Sequence, residues 1–428
     1  MRKAPAGLAT GGALLIGGIL VVSFNMRGAI TSLPPVFPEL KHAAGLSNAT
    51  LAALAAVPVL SFAVFSGLAP VLARRLGEER VIIFALLLLA AGLGLRSAAP
   101  GVLLFPGTIL AACAISLVNV LLPSLVKRRK PELAGLLIGL YLMSLTAGAV
   151  LAAVIAVPVF NAAGGAAVRL TLGMWAIPAL VGAALWLPQV RFQTRPELAP
   201  GEERGAGPGG GRGAQRAGPP GSPRGVLDMT RHKLAWQVTG FMGLQSLAYY
   251  ATLSWFPTMF RDHGISATAA GNLLALMNLG NAVSGLIVPV IAQRSRDQRK
   301  LAVLAVTLIA VGLAGSGFGP NTTVIGFVCL LGLGQGASFG LSVFLFTARS
   351  ADNHTAAALS GFAQGGGYLI AAAGPLLVGI LHTATGSWTI PIICLLGVCA
   401  GQLITGILAG RAKTIGTPAV EPAPLHQR

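Results

Sequence analysis

Phe37-Pro38-Glu39-Leu40-Lys41-His42-Ala43-Ala44-Gly45-Leu46-Ser47 has a counterpart 219 residues further on, Phe256-Pro257-Thr258-Met259-Phe260-Arg261-Asp262-His263-Gly264-Ile265-Ser266. The Phe-Pro pair, the glycine and the serine keep their places. The same offset aligns Pro70-Val71-Leu72-Ala73 with Pro289-Val290-Ile291-Ala292, Arg75 with Arg294, Glu78 with Asp297 and Arg80 with Arg299. Two separated stretches in one register indicate an internal duplication. With an even number of membrane spans in each half, the halves run parallel, an arrangement common among transporters.

The remaining sequence supplies those spans. It is 54% hydrophobic and 10% charged, with a mean hydropathy of +0.77. A spanning helix needs about 20 apolar residues. About twelve such runs are expected near 10–39, 47–72, 81–97, 102–126, 134–158, 168–187, 236–259, 267–292, 300–317, 322–348, 356–381 and 388–409. The expected fold is an all-α polytopic membrane protein, with two pseudo-symmetric six-helix bundles at 1–190 and 233–412. Between them, 191–232 holds Gly205-Ala206-Gly207-Pro208-Gly209-Gly210-Gly211 and Gly218-Pro219-Pro220-Gly221, a composition expected to form a disordered basic linker. Residues 413–428 are expected to form a tail. Of the 30 Lys and Arg residues, 25 fall on the side of both termini and the linker, four on the other side, and Arg27 between. The positive-inside rule then places both termini in the cytoplasm of a cytoplasmic (inner) membrane protein. The net charge of +18 is thus a topology signal rather than a mark of nucleic-acid binding. Met1–Met26 resembles a signal peptide, but continuation through Arg27 and Pro34-Pro35 favours an uncleaved first helix. Cys113, Cys329, Cys394 and Cys399 lie in apolar runs without metal-ligand spacing, so no metal or cofactor is expected.

Arg27 is the one charged side chain that the sequence places deep in an apolar run. A guanidinium at mid-membrane costs about 2.5–3.5 kcal/mol on insertion scales, so it faces a protein interior or a wet cavity. Pro34 and Pro35 lack amide hydrogens, which is expected to free the carbonyls of Ile30 and Thr31. Asn25 and Arg27 therefore open the candidate solute-binding set. Asn119, Tyr141, Gln245, Tyr249, Asn278, Asn281, Gln364 and Tyr368 complete it, all amides and phenols at membrane depth. Gln245/Tyr249 and Gln364/Tyr368 share helix faces at i, i+4, and Asn278/Asn281 at i, i+3. The competing reading for each is interhelical glue, about 0.6 kcal/mol per bond; for Arg27 it is a structural guanidinium. The third, sixth, ninth and twelfth runs lack such groups, Gln402 excepted, and are expected to face lipid. No Asp or Glu lies inside a spanning run; Glu39 stands at the end of the first, and the other acids are in loops, at helix ends or in the tail.

A duplicated six-plus-six chain with a basic central loop resembles the major facilitator superfamily. Within it, Asn25-Met26-Arg27, Pro58-Val59-Leu60-Ser61-Phe62-Ala63 and Leu121-Leu122-Pro123-Ser124-Leu125-Val126-Lys127-Arg128 are similar to the cyanate and 2-nitroimidazole permease family. So are Leu359-Ser360-Gly361-Phe362-Ala363-Gln364-Gly365-Gly366-Gly367-Tyr368, Gly374-Pro375 and Thr385-Gly386-Ser387-Trp388. The resemblance implies a single-polypeptide secondary carrier. It departs at Pro70–Glu79, where Arg74 stands at the superfamily's usual aspartate and Glu78 and Glu79 are the acids left to close the cytoplasmic latch. Arg75, Glu78 and Lys127 are accordingly the expected gating residues, with Lys127 as a plain helix end the alternative.

The expected activity is transport of a small anion, cyanate-like or a small carboxylate, by alternating access. The alternative cargo is a neutral planar heterocycle of the 2-nitroimidazole kind. A co-transported proton and a monomeric state in the lipid bilayer are further expectations. An intramembrane enzyme would need a nucleophile–base pair or metal ligands at depth, and Gly336-Ala337-Ser338-Phe339-Gly340 lies in a helix rather than on a nucleophile elbow. Gly205, Gly207 and Gly210 fit a dinucleotide pattern without a preceding strand. A transporter-like sensor would need a folded signalling domain, for which the linker and tail are unsuited. Gly332, Gly336 and Gly340 read as a packing stripe, as do Gly361 and Gly365.

Overall fold

The computed structural model describes residues 6–65, 68–130, 133–192 and 223–416. Six long helices form the first half: α1 (Ala6–Thr31), α2 (Asn48–Phe65), α3 (Glu78–Ala98), α4 (Leu104–Arg129), α5 (Ala134–Ala162) and α6 (Ala176–Trp186). Six more form the second: α7 (Lys233–Asp262), α8 (Ala267–Ala292), α9 (Arg299–Phe318), α10 (Val324–Ala348), α11 (Asn353–Thr385) and α12 (Thr389–Ala409). Among the described residues, 11 stretches are long and apolar enough to cross a membrane, and α7 is not one of them. Its 30 residues are ample, but Gln245, Ser246, Tyr249 and Tyr250 dilute its hydropathy. A helix this polar is stable at membrane depth only under a cover of protein, and α7 is buried along most of its length.

The repeated Gly-x-Ser has one local cause in both halves. Gly45 and Gly264 adopt φ of 63° and 85°, the left-handed region that a Cβ penalises. Two residues on, the Ser47 hydroxyl accepts the Thr50 amide at 3.0 Å, and Ser266 accepts that of Ala269 at 3.3 Å. Glycine ends one helix and serine caps the next.

One hydrophobic cluster runs from Leu15 to Trp186 within the first half. A second fills the other half and reaches into the first through Leu33, Phe37 and Leu51–Leu54. The halves meet along α2–α11 and α5–α8, pairs exchanged by the duplication. Small residues allow the approach: a Cβ on Gly271 would strike the Ala153 carbonyl, and one on Gly379 the Ala52 side chain. The stripe Gly332/Gly336/Gly340 seats α10 on the backbones of Met277, Asn281 and Gly285, as expected. Helices α3, α6, α9 and α12 pack within their own halves and expose Phe84, Leu180, Leu304 and Ile393. Gln402 is fully buried and donates to Ser338 Oγ at 3.1 Å, so the one amide that the sequence places within those runs binds inward.

Two runs expected to be continuous are broken. The first stops at Thr31, makes a 3₁₀ turn over Pro34–Val36 and resumes as Phe37–Ala44. The sixth is split between Ala167–Gly173 and α6. Most of the expected linker and the end of the tail lie outside the described residues. Within the expected linker, Pro223–Asp228 is helical against α11 and Met229 is buried. The tail's first residues bind Arg349–Ala351, with the Ile415 amide donating to the Arg349 carbonyl at 2.8 Å.

Candidate functional site

Ala6 and Gly416, the first and last described residues, lie at one end of the bundle, the terminal end, opposite the distal end. Arg27 is the 22nd of the 26 residues of α1 and lies near the middle of the apolar span Leu15–Ala44, on the seam between the halves. Its Nη1 donates to the Tyr249 hydroxyl at 2.6 Å, and its Cζ lies 5.4 Å from the centre of that ring. Tyr141, Tyr250 and Tyr368 also lie within electrostatic reach of the guanidinium. The chain has four tyrosines, and all four surround this one cation. Among the described residues no carboxylate pairs with Arg27. A guanidinium carries five N–H donors, and one is given to Tyr249.

The Tyr249 hydroxyl passes its own proton to Asn278 Oδ1 at 3.0 Å, and Asn278 Nδ2 donates to the Leu274 carbonyl at 2.9 Å. This fixes the phenol oxygen as an acceptor toward Arg27. Tyr141 donates to Asn119 Oδ1 at 2.9 Å. Tyr368 packs edge-on against Phe62 across the seam, with ring centres 5.9 Å apart. Gln364, one turn toward the terminal end on the same face, is exposed and holds only Ser360, at 2.8 Å. Asn25 is fully buried two residues from Arg27, and Asn281 is half-buried on α8. Gln245 is drawn elsewhere. Its Nε2 donates to the Gln335 carbonyl at 3.4 Å and its Oε1 accepts from Ser246, inside the second half.

Arg27 is not alone at depth, contrary to expectation. Arg96, in the last turn of α3, is 2% exposed. Its Nε donates to the Leu172 carbonyl at 2.8 Å and its Nη2 to that of Ala29 at 3.2 Å. The break in α1 explains the second bond. The Leu33 amide turns to the Ile30 carbonyl, leaving Ala29 O to be taken sideways. The freed acceptor is therefore Ala29 rather than Ile30.

The halves touch at mid-depth and toward the distal end. Phe37 meets Trp255 edge-on at 6.1 Å, and Arg261 pairs with Glu39 at 2.7 Å. Toward the terminal end, the described ion pairs stay within one half. Glu78 pairs with Arg128, and Arg129 holds both Glu79 and the Gln189 side chain at 2.7 Å. In the other half Arg349 is buried and donates to the Ala409 and Gly410 carbonyls at 2.8 and 2.9 Å and to Gln298. Burial pulls its guanidinium below the ordinary arginine range. Of the expected gating residues, Glu78 is thus buried in an ion pair and Arg75 is exposed, while the side chain of Lys127 lies outside the described residues. Tyr250 and Arg96 join the candidate set: the first is a phenol that the sequence already places at membrane depth, and the second has the sequence position of a helix-end cation.

Two parallel six-helix halves, closed at one end around a central polar cluster, define a polytopic membrane carrier. The chain matches the family model of the Major Facilitator Superfamily over residues 15–375 and 238–423. It is 37% identical to the 2-nitroimidazole transporter of Escherichia coli over 94% of this chain and 96% of that one. It is 30% identical to the cyanate transport protein CynX of the same organism, over 89% and 94%. Its fold is similar to a bacterial homologue of the human lysosomal transporter Spinster in an inward-facing, unoccupied conformation (TM-score 0.68, 14% identity, 93% and 94% covered). The chain belongs to the major facilitator superfamily and is a transporter of a small-molecule solute, not an enzyme.

Proposed function

We propose that the protein is a secondary carrier of a small monovalent anion, cyanate-like or a small carboxylate, with Arg27 as the counter-charge. The observation that carries this is a mid-depth guanidinium on the seam, surrounded by phenols, with no carboxylate pairing among the described residues. An anion accepts charge-assisted hydrogen bonds from the remaining N–H groups, in fork geometry that suits a carboxylate. Tyr249 holds the fork in place, Asn278 orients Tyr249, and Tyr368 and Gln364 border the approach from the terminal end. Asn25, Tyr141, Asn119 and Asn281 belong to the surrounding wall, and Gln245 to the packing of α7 on α10.

Alternating access follows from two halves that share their contacts at the distal end. With both termini cytoplasmic, as the distribution of basic residues favours, the open side is the inward one and the protein sits in the cytoplasmic membrane. The Glu39–Arg261 pair and the Phe37–Trp255 contact then form the outer gate. Outward opening requires those to part and the cytoplasmic ends to close, with Arg75, Glu78 and Lys127 at that end. The working unit is one chain, and a proton enters with the anion.

A second reading is favoured by the phenols themselves. Four aromatic rings around a donor suit a flat neutral heterocycle with an acceptor edge, and the relative at 37% identity is a 2-nitroimidazole transporter. Proteoliposome uptake separates the two. Cyanate uptake is expected to move charge or follow a pH gradient and to be competed by other small anions more than by 2-nitroimidazole. Arg27→Ala is expected to reduce cyanate uptake about 100-fold, as loss of some 2.7 kcal/mol of binding implies, and Arg27→Lys to retain part of it. Wild-type cyanate uptake in both Arg27→Lys and Arg27→Ala would overturn the anion reading.

A further inference from the structure

Toward the distal end from Arg27 lies a narrow void that neither the repeat nor the polar pattern announced. Ala29 and Pro34 of the broken first span, Ala112 of α4, Leu253 and Tyr250 of α7, and Arg96 of α3 border it. The void therefore lies on the seam, walled by both halves. Its lining is almost wholly apolar apart from Arg96 and three hydroxyls. Thr108 and Ser254 each turn their hydroxyl to the carbonyl four residues back, at 2.7 and 2.8 Å. The Tyr250 hydroxyl has no hydrogen-bond partner among the described residues, and neither has Nη1 of Arg96. A buried cation that gives only two of its hydrogen bonds to carbonyls, beside a void, is costly to retain for packing alone.

Tyr250 joins this void to the main site, because the same ring stacks edge-on against Tyr249 at 5.2 Å and lies within reach of Arg27. We propose that the void headed by Arg96 is a second anion station, on the outer half of the solute path, filled when the distal end opens. The inference rests on the anion reading of Arg27. An anion arriving from the distal side meets Arg96 first, sheds water against apolar walls and passes Tyr250 to reach Arg27. The apolar lining of the space selects small, weakly hydrated anions over strongly hydrated ones. Phe37 borders the void and packs edge-on against Trp255 of the other half, a contact on its distal side.

The test is sided transport of radiolabelled cyanate in proteoliposomes of a single orientation. Arg96→Gln is expected to raise the half-saturating concentration about tenfold on the distal side and less than twofold on the terminal side, with maximal rates shifting to keep the two directions consistent at equilibrium. Ala112→Leu, which fills the void and leaves both guanidiniums in place, is expected to do the same and decides the matter if Arg96→Gln fails to insert. Equal changes on both sides in the variant that inserts, or lost thermal stability with unchanged half-saturation, would overturn the station and leave Arg96 a clasp on the broken first span. Arg27→Gln is the separate control and is expected to weaken both sides. If Arg27→Gln transports normally, the anion reading itself fails, whatever Arg96 does.

Discussion

Arg27 and Arg349 are both arginines withdrawn from water, yet their surroundings assign them opposite work. Arg349 is wrapped by carbonyls at the end of α12 and by Gln298, whose own amide is anchored on Ala292. Its partners are backbone atoms already fixed by helices, so the guanidinium fastens the start of α9, the end of α10 and the end of α12 into one corner. Arg27 meets one phenol hydroxyl and three more rings. One cation has its partners supplied by the fold, and the other keeps donors in reserve. Burial alone therefore does not identify a binding residue; the inventory of partners does.

The largest way to test this contrast is to remove the clasp. Arg349→Gln leaves the Ala409 and Gly410 carbonyls and the Gln298 amide without their donor, at about 1–3 kcal/mol for each buried group left unpaired. The expected result is a marked fall in the thermal unfolding temperature of the detergent-solubilised protein, with the half-saturating solute concentration unchanged in whatever inserts. The opposite pattern, normal stability with weakened solute binding, would give Arg349 the role assigned to Arg27. Tyr249→Phe is the next step down. It removes the acceptor that positions Arg27 and frees Asn278, yet keeps the ring under the guanidinium. Uptake is expected to fall about tenfold, roughly 1.4 kcal/mol, with little change in stability. An unaffected half-saturation would mean that Arg27 needs no positioning by α7.

Much of the architecture was legible because periodic features write themselves into a chain twice. Gly45 and Gly264 demand the same left-handed turn, and Ser47 and Ser266 the same cap, so the repeat could be read before any helix was placed. Arg27 was legible for a different reason, since a cation within a long apolar run has few tolerable destinations. Arg96 was not. Two residues before the end of its helix, it has the spacing of a cation that reaches the interface, and only the break in α1 turns the Ala29 carbonyl toward it. The fate of Gln245 was equally hidden. It shares a face with Tyr249, but α10 approaches that face one turn away and its backbone captures the amide. Spacing along one helix says which residues stand together; which neighbour they meet depends on helix packing that the intervening hundred residues decide.

The smallest effect tests how tightly the ring of phenols is bound to the cation. Tyr141 gives its hydroxyl proton to Asn119 at 2.9 Å, a bond within the first half that holds both groups in the wall of the site. Its oxygen then faces Arg27 as one acceptor among several. Tyr141→Phe removes that bond and leaves the ring, so uptake is expected to change less than threefold, below about 0.7 kcal/mol. Asn119→Ala should match it, and the double variant should be no worse than either single one, because both remove the same interaction. A double variant with multiplied losses would show that Asn119 and Tyr141 each reach the solute on their own. The polar wall of the first half would then bind solute as directly as Tyr249 does, and the division between a positioned cation and its surroundings would have to be redrawn around both halves.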